Sequence, residues 1–425
     1  MKAANGSVTD FPSPRAEPWR YTPVGEIISR FEAATASTDS TDSTASTTIG
    51  TWVSCSTVDS LAGNHGGPRL VFVNGVYDAV LSDHDNLPAG LWCGLADLAN
   101  GRTAANVALT IIDPAVDGFL ARNHDDGGDA AVIVVDPDVR IETPVHIIHL
   151  SAPDTTGESE HPPLLSHPRT IVDVGDASHI NLIQTYCGLA GSAVSNASTT
   201  IRIGSRAEVH HCRIQTESTR ATHIGNTRVE QQEGSRFRML SVTIGGDIAR
   251  NAIDVHLCGP DAVTELVGVN VTTGKQRHDT VVTVDHLASG CASKQRFTGV
   301  VDDHGRGSFS GEIIVRPGTV ATDAHQTNRN LVLSPNAEAD TRPWLQILAD
   351  DVRCTHGATV GRLDDDSLFY LRSRGIPLEA ARQMLIGAFI RDITDAIPHE
   401  SLRAHIVELI AAKSTTIATD TEELS

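Results

Sequence analysis

Hydrophobic and polar positions along this chain change rhythm three times. Near the N-terminus, Val24, Ile27, Ile28 and Phe31 recur at helical spacing after the compact phrase EPWRYTP, residues 17–23, and predict one amphipathic helix. A Ser/Thr/Asp tract, residues 35–48, has no apolar period and reads as a mobile linker. From residue 68, RLVFVNGVYDAVLS is two apolar runs about Asn74-Gly75, the dipeptide of a tight hairpin turn. Residues 91–122 read as short helices and loops.

From Ala130 to about Val360 the texture is a succession of short runs rich in β-branched residues, such as AAVIVVD, INLIQTY, LVGVNVTTG and FSGEIIVRPGTV. Gly, Pro, Asn and Asp punctuate them, leaving almost no room for a helix. After Gly375 helical spacing returns: Leu378, Ala381, Leu385, Ala388 and Phe389 form one stripe, and Leu402, Ile406, Leu409 and Ile410 another beyond Pro398. The tail STTIATDTEELS is polar and reads as frayed. More than 200 residues of short strands must manage their edges, which a sandwich, a propeller, a barrel or a β-solenoid each can do. A parallel β-helix suits short runs, because each coil pairs with the next and only the ends stay open.

Composition narrows the function more than the fold. Aromatics are only 4% of 425 residues, so Val, Ile, Leu and Ala must fill the core. A formal charge of −20 argues against nucleic acid and against an anionic membrane surface, and the apolar runs are too short to span a bilayer. Seven scattered cysteines without a CxxC pair, and no basic-then-apolar leader, fit a reducing cytoplasm rather than a disulfide framework. The phosphate loop, the GxSxG elbow and the HExxH helix are all missing, so ATP hydrolysis is not expected here.

The segment ADDVRCTHGATVGRLDDDSLFYLRSRGI at 349–376, the run DAHQTNRNLVL at 323–333, and the N-terminal phrases EPWRYTP and VFVNGVYDAVLS together resemble the SufB/SufD family of SUF iron–sulfur cluster assembly proteins. Within that family the CTHG form of the first motif resembles the SufD branch. The resemblance implies a mainly β protein with a right-handed parallel β-helix core, a short N-terminal helical region and a C-terminal α-helical domain. The expected divisions are 1–67, 68–129, 130–362 and 363–425. It further implies a non-catalytic scaffold that pairs with SufB through the β-helix and docks the SufC ATPase on the C-terminal helices, with a homodimer in isolation also compatible. No cofactor is expected to be bound stably; iron or a nascent iron–sulfur cluster would pass through the complex. Gln346, where relatives often carry Glu, and Thr298, where Lys is common, depart from the pattern, so no further charged site residue is carried over.

Within the CxH motif the resemblance singles out His356, with Cys354 two positions earlier. In a strand their side chains share a face. Thiolate and imidazole both suit iron, yet two ligands cannot close a tetrahedral site, so a partner must complete it. His210, His211 and Cys212 form another cluster, but alternation lets only His210 and Cys212 converge, and packing is the expected role. Asp302-Asp303 and Asp364-Asp365-Asp366 read as solvated loop charges. Two other classes remain open: a β-helical polysaccharide hydrolase or lyase, which the few aromatics disfavour, and a purely structural β-helix homo-oligomer.

Overall fold

The computed structural model describes residues 10–40, 53–96, 117–153, 163–395, 397 and 399–419. Helix α1, Val24–Ser40, buries Val24, Ile27, Phe31 and Ala34 on one face, against Trp19, Phe119, Val194, Ile224 and Ile248. Residues 35–40 continue this helix, so the linker reading fails there; residues 41–52 lie outside the described residues. Helix α2, Cys55–Ala62, starts where the Ser54 side chain accepts the Thr57 N–H at 3.1 Å.

The hairpin forms as expected. Arg69–Val73 and Val76–Tyr77 pair antiparallel, and Asn74 and Gly75 take positive φ values of 56° and 84°, the left-handed pair a type I′ turn requires. Residues 91–95 are a correction, since Leu91–Leu95 is a strand paired antiparallel with Ala130–Val135. Leu91 and Cys93 alternate into the core there, a period too short to declare itself in the sequence. Residues 97–116 lie outside the described residues. Helix α3, Gly118–Asp126, follows, capped by Asp117 through the Phe119 N–H at 2.8 Å.

The centre is a β-solenoid of about 7 turns. One parallel sheet runs from Arg69–Val73 through Arg140–Ser151, His179–Gly188, Glu208–Thr216, Arg236–Thr243, Val263–Thr272, Ala292–Val301 and Thr322–Val332 to Val352–Gly361. The facing sheet runs from Ala130–Val135 through Arg169–Val174, Ala193–Ile203, Thr222–Gln231, Ile248–Leu257, Arg277–His286 and Arg306–Val315 to Glu338–Ile347. From His179 onward, pairings from Thr222 with Ile248 to Arg306 with Glu338 set turns of 26 to 32 residues. One corner repeats a left-handed residue in successive coils: Asp138, Ala177, Arg206, Gly234, Asp261, Gly290 and Ala321. The N–H of each of the first six donates to a carbonyl of the next coil at 2.7–3.0 Å. Only two of the seven are glycine, so Gly spacing alone does not mark the coils.

Between the sheets, Leu182, Val209, Phe237 and Leu266 meet Val229, Ile253, Val282 and Val284, the β-branched filling an aromatic-poor chain needs. The outer face of the first sheet is apolar too, and helices α5, Leu378–Thr394, and α6, Glu400–Thr419, lie on it. Ile386, Ile390 and Ile393 of α5 pack there with Leu402, Ile406 and Ile410 of α6. The stripe expected in α5 is rotated: Ala381 is buried, but Ala388 is exposed, because the sheet receives the isoleucine row. Helix α6 continues to Thr419, so the first half of the polar tail is helical. Helix α4, Asp365–Ser373, capped by Asp364 through the Ser367 N–H at 2.9 Å, buries nothing. No described helix is long and apolar enough to cross a membrane.

Candidate functional site at the open end of the solenoid

The last coil is built from Glu338–Ile347 and Val352–Gly361. Among the described strands, the first pairs only with Arg306–Val315 and the second only with Thr322–Val332. Each therefore presents a ten-residue edge of unpaired backbone groups. Trp344, Leu348 and Val360 stand 44%, 47% and 52% exposed beside it. Long, flat edges of this kind are pairing templates and are covered in stable assemblies.

Strand alternation places the motif. In Thr322–Val332, Ala324, Gln326, Asn328 and Asn330 are buried in the inward row, while Asp323, His325, Thr327 and Arg329 face out. Register pairs Cys354 with Ala324 and His356 with Gln326, so both motif side chains continue the inward row, as their spacing predicts. Cys354 is half-buried and packs on a small apolar group with Ile313, Val315 and Ala324. Burial, and secondarily the charge of Asp323, push its thiol pKa up, so the sulfur stays protonated until something draws the proton away. His356 stands at the mouth and is exposed, with no further coil over it among the described residues. On the outer face of the same rungs, His325 Nδ1 meets Thr355 Oγ1 at 2.7 Å and its Nε2 meets Asp323 at 2.8 Å. In the sequence, the period of two among the polar residues of DAHQTNRNLVL was the one signal of this inward and outward sorting.

The second cluster divides as alternation requires. His210 and Cys212 lie on the outer face beneath the C-terminal helices, and His211 points inward. His210 is held by Asn181 at 3.1 Å and Glu208 at 3.0 Å, and Cys212 is 7% exposed in the apolar layer. A cavity of about 280 Å³ lies here, walled by Ile183, Leu240, Val267, Ile393 and Leu402, well away from the motif along the sheet. Among the described residues, no three His, Cys, Asp or Glu side chains gather as a metal site. All seven cysteines are free. Asp302 corrects one expectation: it is 4% exposed, accepts the Asp303 N–H at 2.8 Å, and burial raises its pKa. Asp364 to Asp366 are exposed at the start of α4, as expected.

Polar groups inside the solenoid were not foreseen. Glu217 lies 2.7 Å from His223 Nδ1, and buried Arg213 lies 2.6 Å from His223 Nε2. His149, His211, His278 and His286 are also buried, each bonded through one ring nitrogen to a neutral partner: Thr170 at 3.4 Å, Gln184 at 3.2 Å, Thr272 at 3.2 Å and Ser293 at 2.9 Å. Burial lowers their pKa values to about 3, 3, 4 and 4.

Comparison with known proteins bears on the whole arrangement. The family model described as SUF system FeS cluster assembly, SufBD core domain, matches residues 155–389. An iron–sulfur cluster assembly SufBD family protein of Synechocystis is 30% identical over 367 residues, covering 81% of this chain and 78% of its own. The iron–sulfur cluster assembly protein SufD of Escherichia coli is 29% identical over 407 residues, covering 95% and 90%. SufD of Bacillus subtilis is 28% identical over 288 residues, covering 67% and 64%.

Proposed function

The chain belongs to the SufBD family of iron–sulfur cluster assembly proteins and is SufD-like, and on that premise we propose that it is the non-catalytic SufD scaffold of a cytoplasmic SufB–SufC–SufD complex. The observation that carries the reading is the unpaired last coil with His356 at its mouth. SufB would close that coil by pairing its own β-helix edge along Val352–Gly361 and Glu338–Ile347. Iron, sulfide or the nascent cluster is then the cargo, met by His356 and completed by groups from SufB. Cys354 would join only when a metal or a base takes its proton, since partial burial and the charge of Asp323 raise its thiol pKa.

SufC would dock on the C-terminal unit. The inner faces of α5 and α6 are already used on the chain's own sheet, so docking falls to what remains outside. Phe369 and Tyr370 of α4 stand 76% and 57% exposed, with Leu378 and Met384 of α5 at 38% and 52%. ATP hydrolysis belongs to SufC, and its cycle would move the SufB-facing edge. In isolation the same edge can pair with a second copy. Asp302, one of the paired acids a carbohydrate-cleaving role would draw on, is buried in a coil corner.

Affinity capture of this chain after co-expression with SufB and SufC tests the proposal. Recovery of all three proteins in one complex is expected. A chain that emerges only with itself, under conditions where SufB and SufC associate with each other, would leave the homo-oligomer reading in its place.

A further inference from the structure

Side chains at paired positions of neighbouring coils repeatedly bond to one another in this solenoid. Arg250 lies 2.7 Å from Asp279, and Ser308 donates to the same carboxylate at 2.7 Å, each across one step of register. Among the described residues, two hydrogen bonds of this kind involve histidine: His210 Nδ1 with Asn181 at 3.1 Å, and His325 Nδ1 with Thr355 at 2.7 Å. In both, the Nδ1 atom reaches the adjacent coil, because it lies nearest the backbone where strands are about 4.8 Å apart.

The inward row at the open end carries one such ladder that stops short. Gln295 pairs with Gln326, and Gln326 with His356. The Gln326 amide donates through Nε2 to Gln295 Oε1 at 2.8 Å. Gly311 lies against that amide from the facing sheet; a Cβ there would sit 2.1 Å from Gln326 Nε2, so only glycine permits the approach. The amide is thereby aimed, and its Oε1 is left buried without a hydrogen-bond partner, in a side chain 1% exposed. An unpartnered buried carbonyl is unfavourable by about 1–3 kcal/mol and is uncommon in native proteins. The next residue in its row is His356, whose ring makes no hydrogen bond among the described residues.

We propose that Gln326 is the positioning residue of His356: its Oε1 accepts the Nδ1–H of the imidazole, so that Nε2 presents its lone pair outward at the mouth of the solenoid. The ring then has one tautomer and one orientation, and Gln295 and Gly311 hold the acceptor in place. Histidines that bind metal through one nitrogen are oriented in this way by what the other nitrogen donates to. The idea rests on the reading that His356 meets iron or a cluster, and it adds how the side chain is made ready.

The test reads the ring directly. In the full-length chain labelled with nitrogen-15, the long-range nitrogen–proton spectrum at pH 8 distinguishes the two neutral tautomers, and the His356 signal is the one lost in His356→Ala. The wild type should show Nδ1–H. Gln326→Met, which keeps the length and removes the acceptor, should revert to the Nε2–H form usual for unrestrained imidazole. Gln326→Glu, which restores an acceptor, should bring Nδ1–H back. In the SufB–SufC–SufD complex the Met variant should hold roughly tenfold less iron, with Glu recovering most of it.

A wild-type ring in the Nε2–H form overturns the proposal, and so does an Nδ1–H ring unmoved by Gln326→Met. Should Gln326→Met fail to fold, the wild-type tautomer decides by itself. The failure of the parent reading is distinguishable. If His356→Ala leaves cluster content normal while the tautomer behaves as described, the hydrogen bond stands and the assembly role falls.

Discussion

Lowering the pH from 7.5 to 5.5 should loosen this protein through its buried histidines. Inside the solenoid His149, His211, His278 and His286 are held neutral, with pKa values of about 3, 3, 4 and 4 set chiefly by burial. Their hydrogen-bond partners are Thr, Gln, Thr and Ser, which cannot compensate a proton. In the unfolded chain each titrates near its ordinary value of about 6.5. The folded pKa is therefore the lower one, so the stabilisation is fully present above about 6.5 and is lost as pH falls toward the folded values. At pH 5.5 the unfolded state carries about 0.9 proton at each site and the folded state almost none, a loss of about 1.3 kcal/mol per histidine between pH 7.5 and 5.5. Four sites sum to about 5 kcal/mol, comparable with the whole stability of an ordinary domain. Urea unfolding at pH 7.5, 6.5 and 5.5, followed by circular dichroism, measures it. His211→Gln should flatten the dependence by about one proton's worth, since an amide there never charges. Stability that stays level from pH 7.5 to 5.5 would refute the reasoning, as would a His211→Gln slope equal to that of the wild type.

Three further outcomes follow from the packing. Ala177 sits at a coil corner with φ of +55°, where an L side chain is strained, so Ala177→Gly should raise stability by about 0.5–1 kcal/mol in urea titrations despite the looser unfolded chain. Gly268 faces Phe297 across one step of register, and a Cβ there would lie 2.3 Å from the ring, so Gly268→Ala should cost about 1–3 kcal/mol by the same measurement. Ile406 of α6 is 1% exposed against the outer face of the sheet, and Ile406→Ala should weaken helix docking by about 2–5 kcal/mol. Hydrogen exchange would show that loss in α5 and α6 while the inner strands stay protected; unchanged exchange in both helices would mean the outer apolar layer is not what holds them.

How far the sequence could be read depended on the range of the interaction behind each feature. The Asn74-Gly75 hairpin and the helices after Gly375 are local patterns, and both appear as read. Alternation sufficed to put Cys354 and His356 in one row and to separate His211 from His210 and Cys212. What escaped was set by neighbours some 30 residues away or more. The corner residues are marked by backbone conformation, not by type, since Ala177, Arg206 and Ala321 do the work of glycine. The isoleucine row of α5 wins over the Leu378–Ala388 stripe because the sheet offers its apolar surface to Ile386, Ile390 and Ile393. Asp302 resembles any loop acid until the fold buries it. Gln326 is one polar letter in DAHQTNRNLVL, and only register shows that it lies under His356.

The most direct measurement is iron and sulfide content of the co-expressed SufB–SufC–SufD complex carrying His356→Ala, beside wild type and His210→Ala, after confirming that each complex assembles. His210 is the matched control, a histidine on the same sheet whose ring is already bonded to Asn181 and Glu208. Loss of cluster in His356→Ala alone, with the complex intact, is the predicted result. Normal cluster content in His356→Ala would contradict the account and leave the chain as an architectural partner whose open end does no more than pair with SufB.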